Sequence, residues 1–189
     1  MKKGILLICL LFLLCSCGVQ KQESSPLDYV DKVASTDLSG EMARSGAESG
    51  AGLESEPERE SRGLSLGAAE QLLVDSKGEP MEKVTIIDNL INWVYADTSF
   101  FTLMDHVVVT YGFNIESKMS TSKGIKVGDS IQEAKAKYGQ AFYSRKQANS
   151  QMIGYIDKKG DTMIEFLFEK DVIMSIMVSQ LEVFRKMAG

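Results

Sequence analysis

Thiol and imidazole groups are scarce in this chain of 189 residues, which contains three cysteines and one histidine. Cys9, Cys15 and Cys17 all lie within the first 17 residues. The rest of the chain therefore has no thiol for a disulfide, a thiolate metal site or a cysteine nucleophile.

An excess of positive charge is also missing. The chain has 21 Lys and Arg residues against 26 Asp and Glu residues, a formal net charge of −5 and a pI near 5.0. Binding to DNA or RNA needs a basic surface that neutralises phosphates, so the composition argues against a nucleic-acid partner. The length suits one domain or two small ones.

Catalytic motifs are absent from the sequence. His106, beside Asp105, is the only histidine, and it has no second histidine or spaced carboxylate cluster that would make it a metal ligand or general base. No Gly-x-Ser-x-Gly motif occurs, and Gly124 and Gly128 lack the lysine that follows the closing glycine of a P-loop. We therefore expect no catalytic residue, metal or cofactor; an envelope hydrolase with a site around Asp105 and His106 stays open as an alternative.

The first 16 residues have the layout of a secretory signal peptide. Two lysines follow Met1, and Ile5 to Leu14 form an apolar run interrupted only by Cys9. About ten apolar residues are roughly half of what a membrane-spanning helix requires. We expect this segment to direct export and to be removed.

Leu14-Cys15-Ser16-Cys17 resembles the bacterial lipoprotein lipobox. The resemblance implies that Cys17 becomes the first mature residue and carries acyl chains, which contribute about 0.8 kcal/mol for each buried methylene. It also implies an extracytoplasmic protein anchored in the outer leaflet of the cell membrane or in an outer membrane. An ordinary signal peptide cleaved at another position is the alternative.

Residues 17–62 are predicted to be a lipidated cysteine followed by a disordered acidic linker. Between Gly18 and Arg62 there are 10 acidic and 5 basic residues, with no Trp, Phe or Ile. So few large apolar groups do not offset the entropy of ordering the backbone. A coil of this length would hold a domain roughly 35–40 Å from the bilayer; a short helix around Leu27–Val33 is its one structured candidate.

Residues 63–189 have the composition of a folded domain, with 13 aromatic residues and nearly balanced charge. The clearest helix is Ser130–Tyr138, which has capping-box spacing between Ser130 and Glu133 and ends at Gly139. Period-two alternation predicts strands over 83–89, 92–96, 99–103, 107–115, 151–157, 161–169 and 172–179. We expect an α+β fold with an antiparallel sheet and short helices packed on one face.

The folded part also shows an internal period of 61 residues. Gly63, Gly67 and Gly78 have the same spacing as Gly124, Gly128 and Gly139. The pattern predicts two pseudo-repeats, at about 61–121 and 122–182, each with a helix followed by strands.

These glycine-bounded helices, together with the Trp93-Val94-Tyr95 strand, resemble small lipoproteins of the BamE (SmpA/OmlA) and β-lactamase-inhibitor-protein-like superfamily. The resemblance implies helices on one face of an antiparallel sheet and tandem copies of the unit. Its members include outer-membrane assembly accessories, protein inhibitors and uncharacterised lipoproteins, so it implies no functional residue here.

Surface recognition is then the function that the sequence favours. We expect a cell-envelope lipoprotein that binds another envelope protein without catalysis, through the open face or an edge of its sheet. The candidate binding residues are Trp93, Tyr95, Tyr111 and Tyr155, because Trp and Tyr recur at interfaces; any of them could belong to the core instead. A structural envelope-integrity lipoprotein without a dedicated ligand is a further alternative.

Overall fold

The computed structural model describes residues 25–42, 65–147 and 150–188. Its centre is a single antiparallel sheet of eight strands, which in chain order are β1 (Glu82–Ile87), β2 (Leu90–Val94), β3 (Phe100–Met104), β4 (Val107–Asn114), β5 (Tyr143–Gln147), β6 (Ser150–Asp157), β7 (Thr162–Glu169) and β8 (Val172–Gln180). Three helices accompany the sheet: α1 (Glu70–Lys77), α2 (Ile131–Tyr138) and α3 (Leu181–Ala188). The predicted α+β class is confirmed. The predicted signal peptide 1–16 and Cys17 lie outside the described residues.

The strands lie side by side in the order β1-β2-β3-β4-β8-β7-β6-β5. Each half of the sheet is a four-stranded meander, and the halves join where β4 pairs antiparallel with β8. The outer strands of the sheet are therefore β1 and β5. Sequence reasoning predicted neither β5 nor α3.

The two halves have the same order of elements, a helix followed by four strands, and the helices α1 and α2 begin 61 residues apart, at Glu70 and Ile131. Gly78 and Gly139 end the two helices with positive φ, which glycine adopts without steric penalty. In each half, the first N–H of the helix donates to a backbone carbonyl in a turn of the sheet. The Glu70 N–H donates to the His106 carbonyl, in the turn between β3 and β4, at 2.8 Å. The Ile131 N–H donates to the Asp171 carbonyl, in the turn between β7 and β8, at 2.9 Å.

The two helices differ at their caps. The Ser130 side chain accepts from the backbone of α2 while the Glu133 carboxylate accepts from the Ser130 N–H at 3.0 Å, a complete capping box. Ala69 precedes α1 and offers no side-chain cap.

The larger core lies between the sheet and the α1 and α2 helices, on what we call the α1/α2 face. Leu73 of α1 and Ile131 and Ala134 of α2 are buried there against Phe101 and Phe166 of the sheet. Because successive strand residues point to opposite faces, Phe100 points away from this core.

The opposite face, which we call the α3 face, is covered as well. Leu181 of α3 packs with Phe100 and Met177, and Leu27 and Tyr29 pack against the same cluster. The sheet therefore lacks the open face that the sequence analysis expected to bind a partner. Its apolar residues on this side are buried by α3 and by a segment that precedes α1.

That segment, residues 25–42, corrects the predicted linker. It contains two short 3-10 helices, Pro26–Tyr29 and Ser39–Glu41, and it belongs to the folded domain. Leu38 is buried in the core of the α1/α2 face, whereas Leu27 contributes to the α3 face. The predicted domain boundary at residue 63 is therefore wrong, because these side chains bury apolar surface against a sheet that lies far away in sequence.

We call residues 25–42 the N-terminal strap, because they pass from one face of the sheet to the other around the turn between β6 and β7. The Thr36 N–H donates to the Ile156 carbonyl at 2.8 Å, and the Leu38 N–H donates to the Asp157 carboxylate at 3.2 Å. The backbone of Lys158 in turn donates to the Ser35 hydroxyl at 2.9 Å. These three bonds hold the strap at the place where it passes from one face of the sheet to the other.

Candidate functional site

The four aromatic residues predicted to bind a partner are all buried in the core of the α1/α2 face. Trp93, Tyr95, Tyr111 and Tyr155 are 3%, 5%, 4% and 0% exposed. The structure thus places them together but not on a surface, which corrects the prediction of an exposed aromatic cluster. Their large apolar area is buried under α1, α2 and the strap.

Two of these tyrosines have equivalent structural roles in the two halves. The Tyr95 hydroxyl donates to the Gly78 carbonyl at 3.3 Å, and the Tyr155 hydroxyl donates to the Gly139 carbonyl at 2.9 Å. Each bond secures the end of a helix. Burial raises the pKa of Tyr95 to about 12, with smaller contributions from Glu79 and Asp97, and burial raises the pKa of Tyr155 to about 12.

Glu41 of the strap is the centre of a buried polar cluster. It is 2% exposed. Its carboxylate accepts from the Tyr111 hydroxyl at 2.5 Å, the Tyr138 hydroxyl at 3.0 Å, and both the backbone and the hydroxyl of Ser122 at 3.0 and 2.6 Å. One carboxylate therefore connects the strap to β4, to α2 and to the segment between the two halves.

Both tyrosines in this cluster stay protonated over the neutral range. Burial first, and the nearby Glu41 charge second, raise the pKa of Tyr111 and of Tyr138 well above the usual value. Their hydroxyls are consequently available as donors to the carboxylate. The arrangement serves to hold the strap in place.

A second buried polar cluster lies on the other face of the sheet. The Arg145 guanidinium donates to both carboxylate oxygens of Glu165, at 2.6 Å each, and the Tyr143 hydroxyl donates to the same carboxylate at 2.8 Å. The Arg145 and Glu165 side chains are 8% and 0% exposed. The strap covers this cluster, because Tyr29 stacks on Tyr143 with ring centroids 4.5 Å apart.

Asp105 and His106 form the two-residue turn between β3 and β4, both with positive φ. They contact different partners: the Asp105 carboxylate accepts from Asn89 at 2.5 Å, and His106 Nδ1 lies 2.5 Å from a Glu70 carboxylate oxygen. The His106 side chain is 87% exposed. Asp105 and His106, which the hydrolase alternative needs to act together, therefore contact separate partners, and the His106 side chain lies in solvent.

A shallow groove runs beside α1 and includes this histidine. It is lined by Ala69, Glu70, Gln71, Val74, Glu79 and His106. It thus holds an imidazole and two carboxylates, while none of the described residues that line it is a Ser, Thr, Cys, Lys or Tyr. Over the described ranges, no group of three or more His, Cys, Asp and Glu side chains is arranged to hold a metal ion.

The β1 edge strand carries part of the exposed apolar surface of the sheet, beside Val107 of β4 and Val172 of β8. Ile87 is 41% exposed, and Met81, directly before the strand, is 61% exposed. Val84 and Ile86 are only half-buried. The pairing of β1 with β2 is regular from Glu82 to Thr85 and shifts register before Ile87. Among the strands that the structure describes, none lies on the outer side of β1, which makes it a place where another strand could pair.

The other edge of the sheet is more polar. In β5, the side chains of Ser144 and Lys146 are exposed, and the strap packs on Tyr143. We therefore regard β1 together with Met81, which we call the β1 edge, as the candidate interaction surface. Sequence reasoning predicted a strand here, but pattern alone did not reveal that it lies at an edge.

Within the part of the chain that the structure describes, no helix has both the length and the apolar character needed to cross a bilayer.

No protein-family model matches this chain, and no curated protein matches it. Solved structures similar to this chain include an extracellular protein containing an SCP domain from Bacillus anthracis, with 12% identity, a TM-score of 0.49 and coverage of 76% of this chain and 52% of the other. A cysteine-rich secretory protein from Staphylococcus aureus has 14% identity, a TM-score of 0.47 and coverage of 63% and 46%. This chain thus spans about half the length of these two proteins.

A Streptococcus mutans protein provisionally assigned as a β-lactamase inhibitor protein is also similar, with 14% identity, a TM-score of 0.25 and coverage of 84% of this chain and 99% of the other. At such identities and TM-scores, these similarities transfer no activity to this chain. None of them adds a match to BamE or to a lipoprotein family, so that part of the resemblance stays a prediction.

Proposed function

We propose that this chain is a cell-envelope lipoprotein that acts by binding another protein, without catalysis. Acyl chains on Cys17 would hold it in the outer leaflet of the cell membrane or in an outer membrane. The observation that carries the binding function is the β1 edge, which pairs with no further strand of the described residues and is flanked by the exposed side chains of Met81 and Ile87. Strand addition at such an edge combines backbone hydrogen bonds with apolar contacts.

The proposed partner is a protein that offers an extended segment with apolar side chains. Half-buried Val84 and Ile86 provide apolar surface beside exposed Ile87. Monomeric proteins usually blunt such edges with charge or with bulges. Here the bulge lies near the end of β1, so four residues from Glu82 to Thr85 keep a regular register, and among them Glu82 and Lys83 add exposed charges of opposite sign.

The hydrolase alternative gains less support from the geometry. A catalytic base acts most effectively where the site excludes water, whereas His106 is largely solvent-exposed and contacts Glu70. We therefore propose a binding function over an enzymatic one.

The anchor is tested by a substitution at Cys17. We expect Cys17→Ser to move the protein from the membrane fraction into the soluble fraction and to abolish incorporation of radiolabelled palmitate, because the acceptor thiol is lost. Cys15→Ser is the matched control: it lies in the same motif but outside the lipidated position, so it should retain both properties. Membrane retention and labelling of the Cys17→Ser protein would contradict the anchor.

The binding surface is tested by site-specific photo-cross-linking in intact cells. A photoreactive amino acid at position 81 or 87 should give a defined adduct with one protein, whose mass identifies the partner. Position 115 is the control, because Ile115 is 69% exposed yet lies beyond the end of β4. Equal adducts at all three positions, or none at the β1 edge, would argue against strand addition there.

A further inference from the structure

The distance between the proposed lipid anchor and the folded domain is short. Ser25 already belongs to an ordered cap, since its hydroxyl accepts from the Leu27 N–H and its own N–H donates to Asp28 at 2.9 Å. Only seven residues lie between Cys17 and Ser25, so the connection has eight residue-to-residue steps. At about 3.3–3.6 Å per residue, the fully extended connection spans at most about 26–29 Å.

The sheet is wider than this connection is long. Seven spacings of about 4.8 Å separate the outer strands of an eight-stranded sheet, which gives about 34 Å. A domain held by such a tether is restricted in its orientation, because its far edge cannot reach the bilayer as easily as the surface next to Ser25.

The tether joins the domain at a defined place. Tyr29 stacks on Tyr143 of β5, and Leu27 packs into the cluster that contains Met163 of β7. The backbone of Lys158 is bonded to Ser35, so the turn between β6 and β7 lies beside the strap. The anchor therefore meets the domain near the β5 edge, at the opposite side of the sheet from β1.

From these constraints we infer that the domain rests on the bilayer with the surface around Lys32, Lys158 and Lys159, which we call the tether surface, and holds the β1 edge away from it. The partner of the tether surface is the lipid headgroup layer. This inference rests on the proposed anchor at Cys17. It also gives a reason for β1, and not β5, to be the edge that meets other proteins.

The chemistry of the tether surface is compatible with headgroups. Lys32, Lys158 and Lys159 are exposed and can reach phosphate groups, while Asp28 and Asp31 are exposed on the same segment. These opposite charges nearly cancel. The orientation is consequently set by the length and attachment point of the tether and not by attraction to anionic lipid.

Fluorescence quenching tests this orientation with the full lipidated chain in phosphatidylcholine vesicles that contain a lipid bearing a nitroxide on its headgroup. Single fluorophores are attached at Lys32→Cys and Lys158→Cys, near the tether, and at Gln71→Cys and Glu82→Cys, on α1 and β1. All four positions are exposed. We expect severalfold stronger quenching at positions 32 and 158 than at 71 and 82.

A variant with a longer tether and a measurement of vesicle binding complete this test. Inserting 20 Gly/Ser residues between Cys17 and Ser25 lengthens the tether to a coil of roughly 30 Å average span and much greater reach, and should remove the difference between the positions. Equal quenching of the membrane-bound protein with its native tether would overturn the orientation while leaving the anchor intact. Failure of the purified chain to bind the vesicles would overturn the anchor and the orientation together.

Discussion

Replacing Glu165 with alanine should lower the free energy of unfolding by about 3–5 kcal/mol, because it leaves the Arg145 guanidinium in a buried site without its carboxylate. The intact pair has two contacts of 2.6 Å and side chains that are 8% and 0% exposed. Urea denaturation followed by the fluorescence of Trp93, the only tryptophan, measures the change as a lower midpoint at unchanged slope.

The exposed ion pair between Arg185 and Asp161 is the matched control. It has the same two-contact geometry, at 2.6 Å each, but its side chains are 50% and 44% exposed. Solvent screening makes such a pair worth at most about 1 kcal/mol, so Arg185→Gln should shift the midpoint only slightly. Equal shifts for Glu165→Ala and Arg185→Gln would show that burial does not strengthen the Arg145 pair.

A double substitution separates the loss of the pair from the penalty of a lone buried charge. Replacing both Arg145 and Glu165 with methionine removes both charges and keeps apolar volume. Buried ion pairs replaced in this way often lose little stability. We therefore expect the double variant to be more stable than Glu165→Ala.

The second large effect is expected at Glu41, where alanine should cost about 3–5 kcal/mol. The substitution leaves the buried Tyr111 and Tyr138 hydroxyls without their acceptor, and hydrogen bonds to a charged group contribute about 1.5–3 kcal/mol each. It also frees the strap from the α1/α2 face. We expect faster hydrogen exchange at the Thr36 and Leu38 amides, whose bonds hold the crossing point.

Two variants check that this loss comes from the carboxylate. Glu41→Gln keeps one carbonyl acceptor and should lose clearly less stability than Glu41→Ala. Asp31→Ala removes an exposed acidic residue from the same strap and should change stability by no more than about 0.5 kcal/mol. A Glu41→Ala protein that unfolds at the wild-type urea concentration would mean that the strap is held by its apolar contacts alone.

The burial of Glu165 was not predicted from the sequence, because it depends on what covers the face of β7 that carries this side chain. Ile164 and Phe166 flank Glu165 in sequence, and period-two alternation places Glu165 on the opposite face of β7 from both. The structure buries that side under the strap and pairs Glu165 with Arg145 of β5. A lone acidic residue in the middle of an apolar strand was the available signal.

Composition was misleading for the strap. The whole stretch from Gly18 to Arg62 reads as a polar, acidic linker, yet residues 25–42 contain Leu27, Tyr29 and Leu38 at the positions that pack on the sheet. An average over 45 residues hides a short segment with a few well-placed apolar groups. The only local signal of structure in this stretch was the possible helix around Leu27–Val33, where the structure has a 3-10 helix at Pro26–Tyr29.

The sequence by itself determined the elements whose stabilising groups are neighbours along the chain. The capping box of α2 joins residues three positions apart, the helix-ending glycines follow directly, and alternation along each strand separates its two faces. Only the tertiary structure decided which surfaces are buried. Glu41 accepts hydrogen bonds from Tyr111 and Tyr138, which lie 70 and 97 residues away in sequence. Such long-range contacts follow from the packing of the whole chain, and no periodic pattern in the sequence indicates them. For the same reason, the tyrosines and tryptophan that the sequence pattern marked as a binding surface lie in the core, and two of the exposed apolar side chains, Met81 and Ile87, lie at a sheet edge that the pattern could not place.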